Sequence, residues 1–122
     1  MIENMTTELT MLGTGNATVT KCYNTCFTIK TGNDILLVDA GGGNGILGQL
    51  EKAGIAISEI HDMFVTHAHT DHILGAVWMV RIVMQKMLSG QYTGTFRVYG
   101  HDKVLEVLDW ICRNCCRQRS SH

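Results

Sequence analysis

At 122 residues, 45% of them apolar, 17% charged and none proline, the chain is one globular domain at most and is neither disordered nor fibrous. A formal net charge of -1 gives no general attraction to polyanions, so nucleic acid is neither excluded as a substrate nor favoured by the charge total. The most apolar segment, residues 73–88, is interrupted by Arg81, Gln85 and Lys86 and is shorter than the roughly 20 residues a bilayer demands, which excludes a membrane span there.

The first residues carry an acid, Glu3, and no basic region ahead of an apolar stretch, so the chain reads as cytoplasmic, with no signal peptide and no membrane partner. Residues 8–12 alternate polar and apolar like a half-buried strand, and Gly13-Thr14-Gly15-Asn16 breaks them. Residues 25–30 and 35–38 are two further strand-like runs, joined by Thr31-Gly32-Asn33-Asp34, whose composition suits a tight hairpin. The second run ends in Asp39. A glycine cluster, residues 41–45, then leads into a short helix over 46–53, stopped by Gly54 where a left-handed cap is favoured.

Ser58 and Glu59 begin a helical turn that hands the chain to a strand over 62–66. There follows the densest chemistry in the sequence: His67-Ala68-His69-Thr70-Asp71-His72 holds three of the six histidines and a carboxylate, read as a polar loop between a buried strand and a buried helix. From Ile73 to Leu88, Ile73, Val77, Val80, Met84 and Met87 recur at helical spacing, and Ala76, Trp78, Met79, Ile82 and Val83 widen the apolar face. Residues 89–94 form a loop and 95–99 a strand. Asp102 is the expected N-cap of a last helix with Val104, Leu105, Leu108 and Ile111 inward. The element order is β, ββ, α, β, α, β, α. The domain is expected to run over residues 1–113, with 114–122 an unpatterned tail.

Imidazole and carboxylate donors together suit a borderline divalent cation, zinc first, with iron or manganese as alternatives. In an extended loop His67 and His69 face the same way and can share one metal, while Asp71 and His72 can hold a second. Two such ions about 3.5 to 4 Å apart bridge and deprotonate one water, bringing its pKa toward about 7.

The run His67-Ala68-His69-Thr70-Asp71-His72 matches the H-x-H-x-D-H motif of the metallo-β-lactamase superfamily, and its surroundings resemble the ribonuclease Z-like members. Leu12-Gly13-Thr14-Gly15, Val38-Asp39-Ala40-Gly41 and His72-Ile73-Leu74-Gly75 fall in the order of that branch. The resemblance covers roughly residues 8–110. It implies an α/β fold, the N-terminal half of an αβ/βα sandwich, with a mixed sheet and helices on one face. It implies two zinc ions, His67 and His69 binding one and Asp71 and His72 the other. Asp71 would act on the attacking water, and Asp39 would organise the ligands from behind. The family's remaining ligands, a histidine, a bridging aspartate and a final histidine, come later in its chains and have no counterpart here.

Two consequences are expected: weak metal sites, and a bare sheet face that invites self-association. The chain therefore reads as a metallohydrolase of phosphodiesterase or ribonuclease Z type, ended by truncation, by a shifted frame near Arg113, or as a fragment. The alternative is a non-catalytic piece that binds metal loosely and associates with itself. An RNA or small-molecule phosphodiester is the expected substrate class, and precursor tRNA, cyclic nucleotides, thioesters and lactams all stay open.

Other features have plainer readings. Gly43-Asn44-Gly45-Ile46-Leu47-Gly48 fits a dinucleotide-binding pattern, yet the next strand ends in Thr66-His67 where an acid would hold the ribose. Cys22, Cys26, Cys112, Cys115 and Cys116 are an odd set, expected as reduced thiols. His61 and His101 are expected to be structural or solvated.

Overall fold

The computed structural model describes residues 6–14, 25–67 and 70–115, the side chains of 70–72 and 115 excepted. Within them the chain runs β1 (Thr7–Gly13), β2 (Cys26–Thr31), β3 (Asp34–Val38), α1 (Gly45–Lys52), a 3₁₀ turn (Ile57–Glu59), β4 (Ile60–Val65), α2 (Thr70–Leu88), β5 (Arg97–Gly100) and α3 (Asp102–Cys115). The five strands form one mixed sheet in chain order, β1–β2 and β2–β3 antiparallel, β3–β4 and β4–β5 parallel. The parallel neighbours are joined by α1 and α2, because a parallel pairing needs a crossover rather than a hairpin.

All three helices share one face. Ile46 and Leu50 of α1, Ile73, Ala76 and Met79 of α2, and Val104 and Leu108 of α3 form a single buried cluster with Leu37, Met63 and Val65 of the sheet. The expected α/β architecture, mixed sheet and one-sided helices are therefore present. The alternation that buries these strands is interrupted between Met11 and Gly13 of β1, and again where Ile35 pairs with Ile60 and Leu36 with Asp62. His61 is the extra residue of that bulge, and it lets Ile60 and Met63 both face the core despite their odd spacing. Sequence alternation alone could not show this.

The other face of the sheet is uncovered among the described residues. Register places Leu9, Ile29, Leu36, Asp62 and Arg97 in one cross-sheet row, and Met11, Phe27, Val38, Phe64 and Tyr99 in the next. Leu9 is 61% exposed and Phe64 41%. The β5 end of the face is polar: the Asp62 carboxylate accepts from Arg97 Nε and from the Tyr99 hydroxyl, both at 3.0 Å.

The helix ends follow local chemistry. Gly54, at φ 74°, ends α1 as expected: the N–H of Ile55 reaches the Leu50 carbonyl and that of Gly54 the Glu51 carbonyl, both at 3.0 Å. That pair of bonds is a Schellman cap, which only a residue at ease with positive φ closes cheaply. At α3 the expected cap is corrected by one position. Asp102 is already helical, and His101 caps: its carbonyl accepts from Leu105 and its Nδ1 accepts the Lys103 N–H at 3.3 Å. His101 is thus structural. Helix α3 also runs to Cys115, two residues past the expected end of the pattern.

Along α2 the fully buried stripe is Ile73, Ala76, Met79 and Val83, while Met87 is exposed rather than inward. A helix apolar on most of its circumference has no unique inward period, so packing chooses the stripe. Residues 91–93 are pinned from both sides of Ile60: the buried Tyr92 hydroxyl donates to the Ile60 carbonyl at 2.6 Å, and His61 Nε2 lies 2.9 Å from the Thr93 carbonyl. His61 is structural as well, its ring tilted 47° against that of Tyr92 with centroids 4.9 Å apart.

Cys26 is a free thiol, as expected, and is fully buried in the core beneath the β1–β2 pairing. Burial, and secondarily the nearby Asp39 carboxylate, push the Cys26 thiol from 9.0 up to about 12. The native chain therefore keeps this proton where the unfolded chain has already released it, so the unfolded state binds fewer protons and stability falls as pH rises. In reductant, urea midpoints are expected to decline between pH 9.0 and about 12, and Cys26→Ala to flatten that decline. Identical slopes in the two proteins would refute the assignment. Cys22 and Cys116 lie outside the described residues, as does the side chain of Cys115.

Candidate metal centre

Strands β3 and β4 are adjacent and parallel, so their carboxyl ends open at the same edge of the sheet, the usual place for a site in an open α/β sheet. The chain leaves β3 through Asp39 and β4 through Thr66 and His67. Pairing continues one step past the strands, with the Asp39 N–H donating to the Phe64 carbonyl at 2.8 Å. Asp39 is the only described non-glycine residue at positive φ, 58°, and it is 6% exposed. Aspartate enters that region more readily than most residues because its short polar side chain bonds locally.

The turned backbone aims the carboxylate across to β4. Oδ1 accepts the Thr66 N–H at 2.8 Å and Oδ2 accepts the Thr66 hydroxyl at 2.7 Å. Thr66 Oγ1 in turn lies 3.0 Å from Nδ1 of His67. Asp39 thus ties the end of one strand to the end of the next, immediately before the first histidine of the motif.

Helix α2 is locked to the same place. The Gly75 N–H donates to the Gly41 carbonyl at 2.7 Å, and a β-carbon at position 75 would lie 1.9 Å from the Ala40 carbonyl oxygen. The helix thus sits directly on the Asp39-Ala40-Gly41 segment. The expected polar loop is shorter than read: α2 begins at Thr70, so Asp71 and His72 occupy its first turn. Their side chains, and all of Ala68 and His69, lie outside the described residues. Among the described residues no group of three or more histidine, cysteine, aspartate or glutamate side chains could hold a metal. His67, half-buried, is the member of the expected ligand set whose side chain is described.

Sequence reasoning treated Thr66 as a strand end and missed that its hydroxyl joins Asp39 to His67. The available signal was a threonine directly before the histidine and an aspartate closing the neighbouring strand. Gly75 and Gly41 were visible only as motif letters, and their shared role is a close backbone approach.

The fold is the metallo-β-lactamase fold. Human tRNase Z, short form, superposes with a TM-score of 0.71 at 22% identity, over 93% of this chain and 40% of that one. The chain belongs to the family described as anti-Pycsar protein Apyc1, which it matches over residues 7–114. Ribonuclease Z of Pyrococcus furiosus is 35% identical over 94 residues, 76% of this chain and 29% of the relative. The anti-Pycsar protein Apyc1 of Bacillus phage 010DV004 is 37% identical over 71 residues, 57% of this chain and 27% of the relative. The chain spans between 22% and 33% of the length of such curated relatives. No helix among the described residues is long and apolar enough to cross a membrane.

Proposed function

We propose that the chain carries the first half of a two-zinc phosphodiesterase site, with His67 and His69 for one ion and Asp71 and His72 for the other. The observation that carries this reading is the Asp39–Thr66–His67 arrangement, which fixes an imidazole at the carboxyl edge of the sheet directly before the rest of the motif. The donor chemistry fits zinc, with iron or manganese as alternatives. A bound ion supplies a water whose pKa falls toward about 7 and positive charge for the phosphate oxygens. Asp71 would orient or deprotonate that water, His67 and His69 would hold their ion, and Asp39 would hold His67. A phosphodiester is favoured by the ribonuclease Z relatives, in RNA or in a small molecule, within the cytoplasm.

The test is metal content and turnover of the purified chain. At least one equivalent of zinc, together with cleavage of bis(p-nitrophenyl) phosphate that is lost in His67→Ala, is the expected result. Less than one equivalent and no cleavage would sink the reading for this chain.

A second reading rests on the uncovered sheet face: a non-catalytic unit that binds metal loosely and self-associates through the row Met11, Phe27, Val38, Phe64 and Tyr99. Contiguous exposed apolar surface of this kind favours association. Under it, sedimentation would show concentration-dependent association, removed by Phe64→Lys. A monodisperse monomer holding zinc tightly would count against it.

A further inference from the structure

We infer that Thr66 is a positioning residue that sets which nitrogen of His67 carries the hydrogen, through a one-way chain of hydrogen bonds starting at Asp39. A carboxylate only accepts. Oδ1 of Asp39 takes the Thr66 N–H at 2.8 Å, and Oδ2 takes the Thr66 hydroxyl hydrogen at 2.7 Å. A hydroxyl has one hydrogen to give. With that hydrogen committed, Thr66 Oγ1 meets His67 Nδ1 at 3.0 Å as an acceptor, so Nδ1 must be the donor. The neutral ring is then the Nδ1–H tautomer, and its lone pair is on Nε2.

The polarity starts at a point that is hard to reverse. Asp39 is buried, its backbone is turned to φ 58°, and its own N–H is engaged by the Phe64 carbonyl. The Thr66 N–H must be met by an acceptor, which fixes Oδ1 as well. Every link downstream inherits its direction from the carboxylate. The inference rests on the proposed function only for its consequence, that His67 offers Nε2 to zinc; the tautomer itself rests on hydrogen bonding within this chain.

Asparagine at position 39 makes the idea sharply testable. Its amide oxygen must take the Oδ1 place to receive the Thr66 N–H, leaving the NH₂ group at the Oδ2 place, facing Thr66 Oγ1. The hydroxyl now accepts from the amide and turns its own hydrogen toward His67 Nδ1. The tautomer flips. An acid-to-amide change that leaves geometry intact while selecting the wrong imidazole tautomer is a known way to disable a histidine.

The measurement is a long-range ¹H–¹⁵N correlation spectrum of the histidine rings in the metal-free 122-residue chain at about pH 8, where an ordinary imidazole is neutral. The His67 signals are assigned by their loss in His67→Gln. Wild type and Thr66→Ser are expected to show the Nδ1–H pattern, Asp39→Asn the Nε2–H pattern, and Thr66→Val a mixture. Zinc affinity, read by competition with a chromophoric chelator, is expected to fall about 10- to 100-fold in Asp39→Asn and Thr66→Val, the usual scale for losing a partner behind a ligand, and to be kept in Thr66→Ser.

An Nε2–H pattern in wild type overturns the inference. So does an unchanged Nδ1–H pattern in a folded Asp39→Asn. Should Asp39→Asn fail to fold, the wild-type spectrum and the Thr66→Ser and Thr66→Val pair decide it alone. The two ideas fail separately: the expected tautomers without zinc binding would remove the hydrolase reading, and tight zinc binding with an Nε2–H ring would remove the relay.

Discussion

Gly75→Ala is expected to lower stability by about 3 kcal/mol or more, or to prevent folding, although alanine in a helix interior ordinarily gains up to about 1 kcal/mol over glycine. The reversal comes from backbone, not side chains. An added β-carbon would stand 1.9 Å from the Ala40 oxygen, 2.4 Å from its carbonyl carbon and 2.5 Å from the Gly41 oxygen. None of these atoms can rotate away, and the Gly75 N–H bond to Gly41 at 2.7 Å holds the two segments at that separation. To admit the methyl group, α2 must lift off the Asp39-Ala40-Gly41 turn, carrying Asp71 and His72 with it. Zinc affinity should therefore fall together with stability. Gly48→Ala is the matched control, since nothing lies within 4 Å of a β-carbon there, and it is expected to gain about 0.5–1 kcal/mol. Urea midpoints for the two variants moving in opposite directions is the expected result. A Gly75→Ala midpoint at or above wild type would show that the close approach is absent in solution.

Much of the fold could be read from the sequence because each element carries its own local signal. The strand runs were short and bounded by turn residues, Gly54 stopped α1, and the long apolar run of α2 had no competing reading. The ends and the inward faces were less legible. His101 rather than Asp102 caps α3 because a histidine ring nitrogen happens to reach the Lys103 N–H, a matter of geometry rather than composition. The His61 bulge and the Tyr92 hydroxyl bond depend on residues about thirty positions apart meeting beside β4. No local pattern encodes such a meeting.

The site divides in the same way. The histidine motif announced itself by density, and Asp39 by closing a strand ahead of glycines. What joins them was hidden, because Thr66 reads as an ordinary β-branched strand residue until the parallel pairing of β3 and β4 brings it beside Asp39. Parallel pairing also explains why one acid can serve the next loop: strands that run together end together, and a side chain from one can cap its neighbour. The glycine motif of α2 completes the arrangement, since only a residue without a side chain lets the helix rest on that turn.

Removing the Asp39 carboxylate is the other change with a large expected effect, and two substitutions separate its causes. Asp39→Ala strips the Thr66 N–H and hydroxyl of their acceptor in a part-buried position, costing about 1–3 kcal/mol. It also puts a β-carbon without a compensating local bond at φ 58°, adding about 1–2 kcal/mol. The total expected loss is about 2–5 kcal/mol. Asp39→Gly loses the same hydrogen bonds but accepts the backbone, so it should stand about 1 kcal/mol above Asp39→Ala, even after the added freedom of its unfolded chain. Zinc affinity should behave differently. Both variants lack the carboxylate that directs Thr66 and His67, so both should lose it alike, by about 10- to 100-fold. Stability that ranks glycine above alanine, with affinity equal in the two, would separate the strain of the turn from the work of the carboxylate. Should glycine restore zinc binding as well, Asp39 would be a backbone turn residue and no organiser of the metal site.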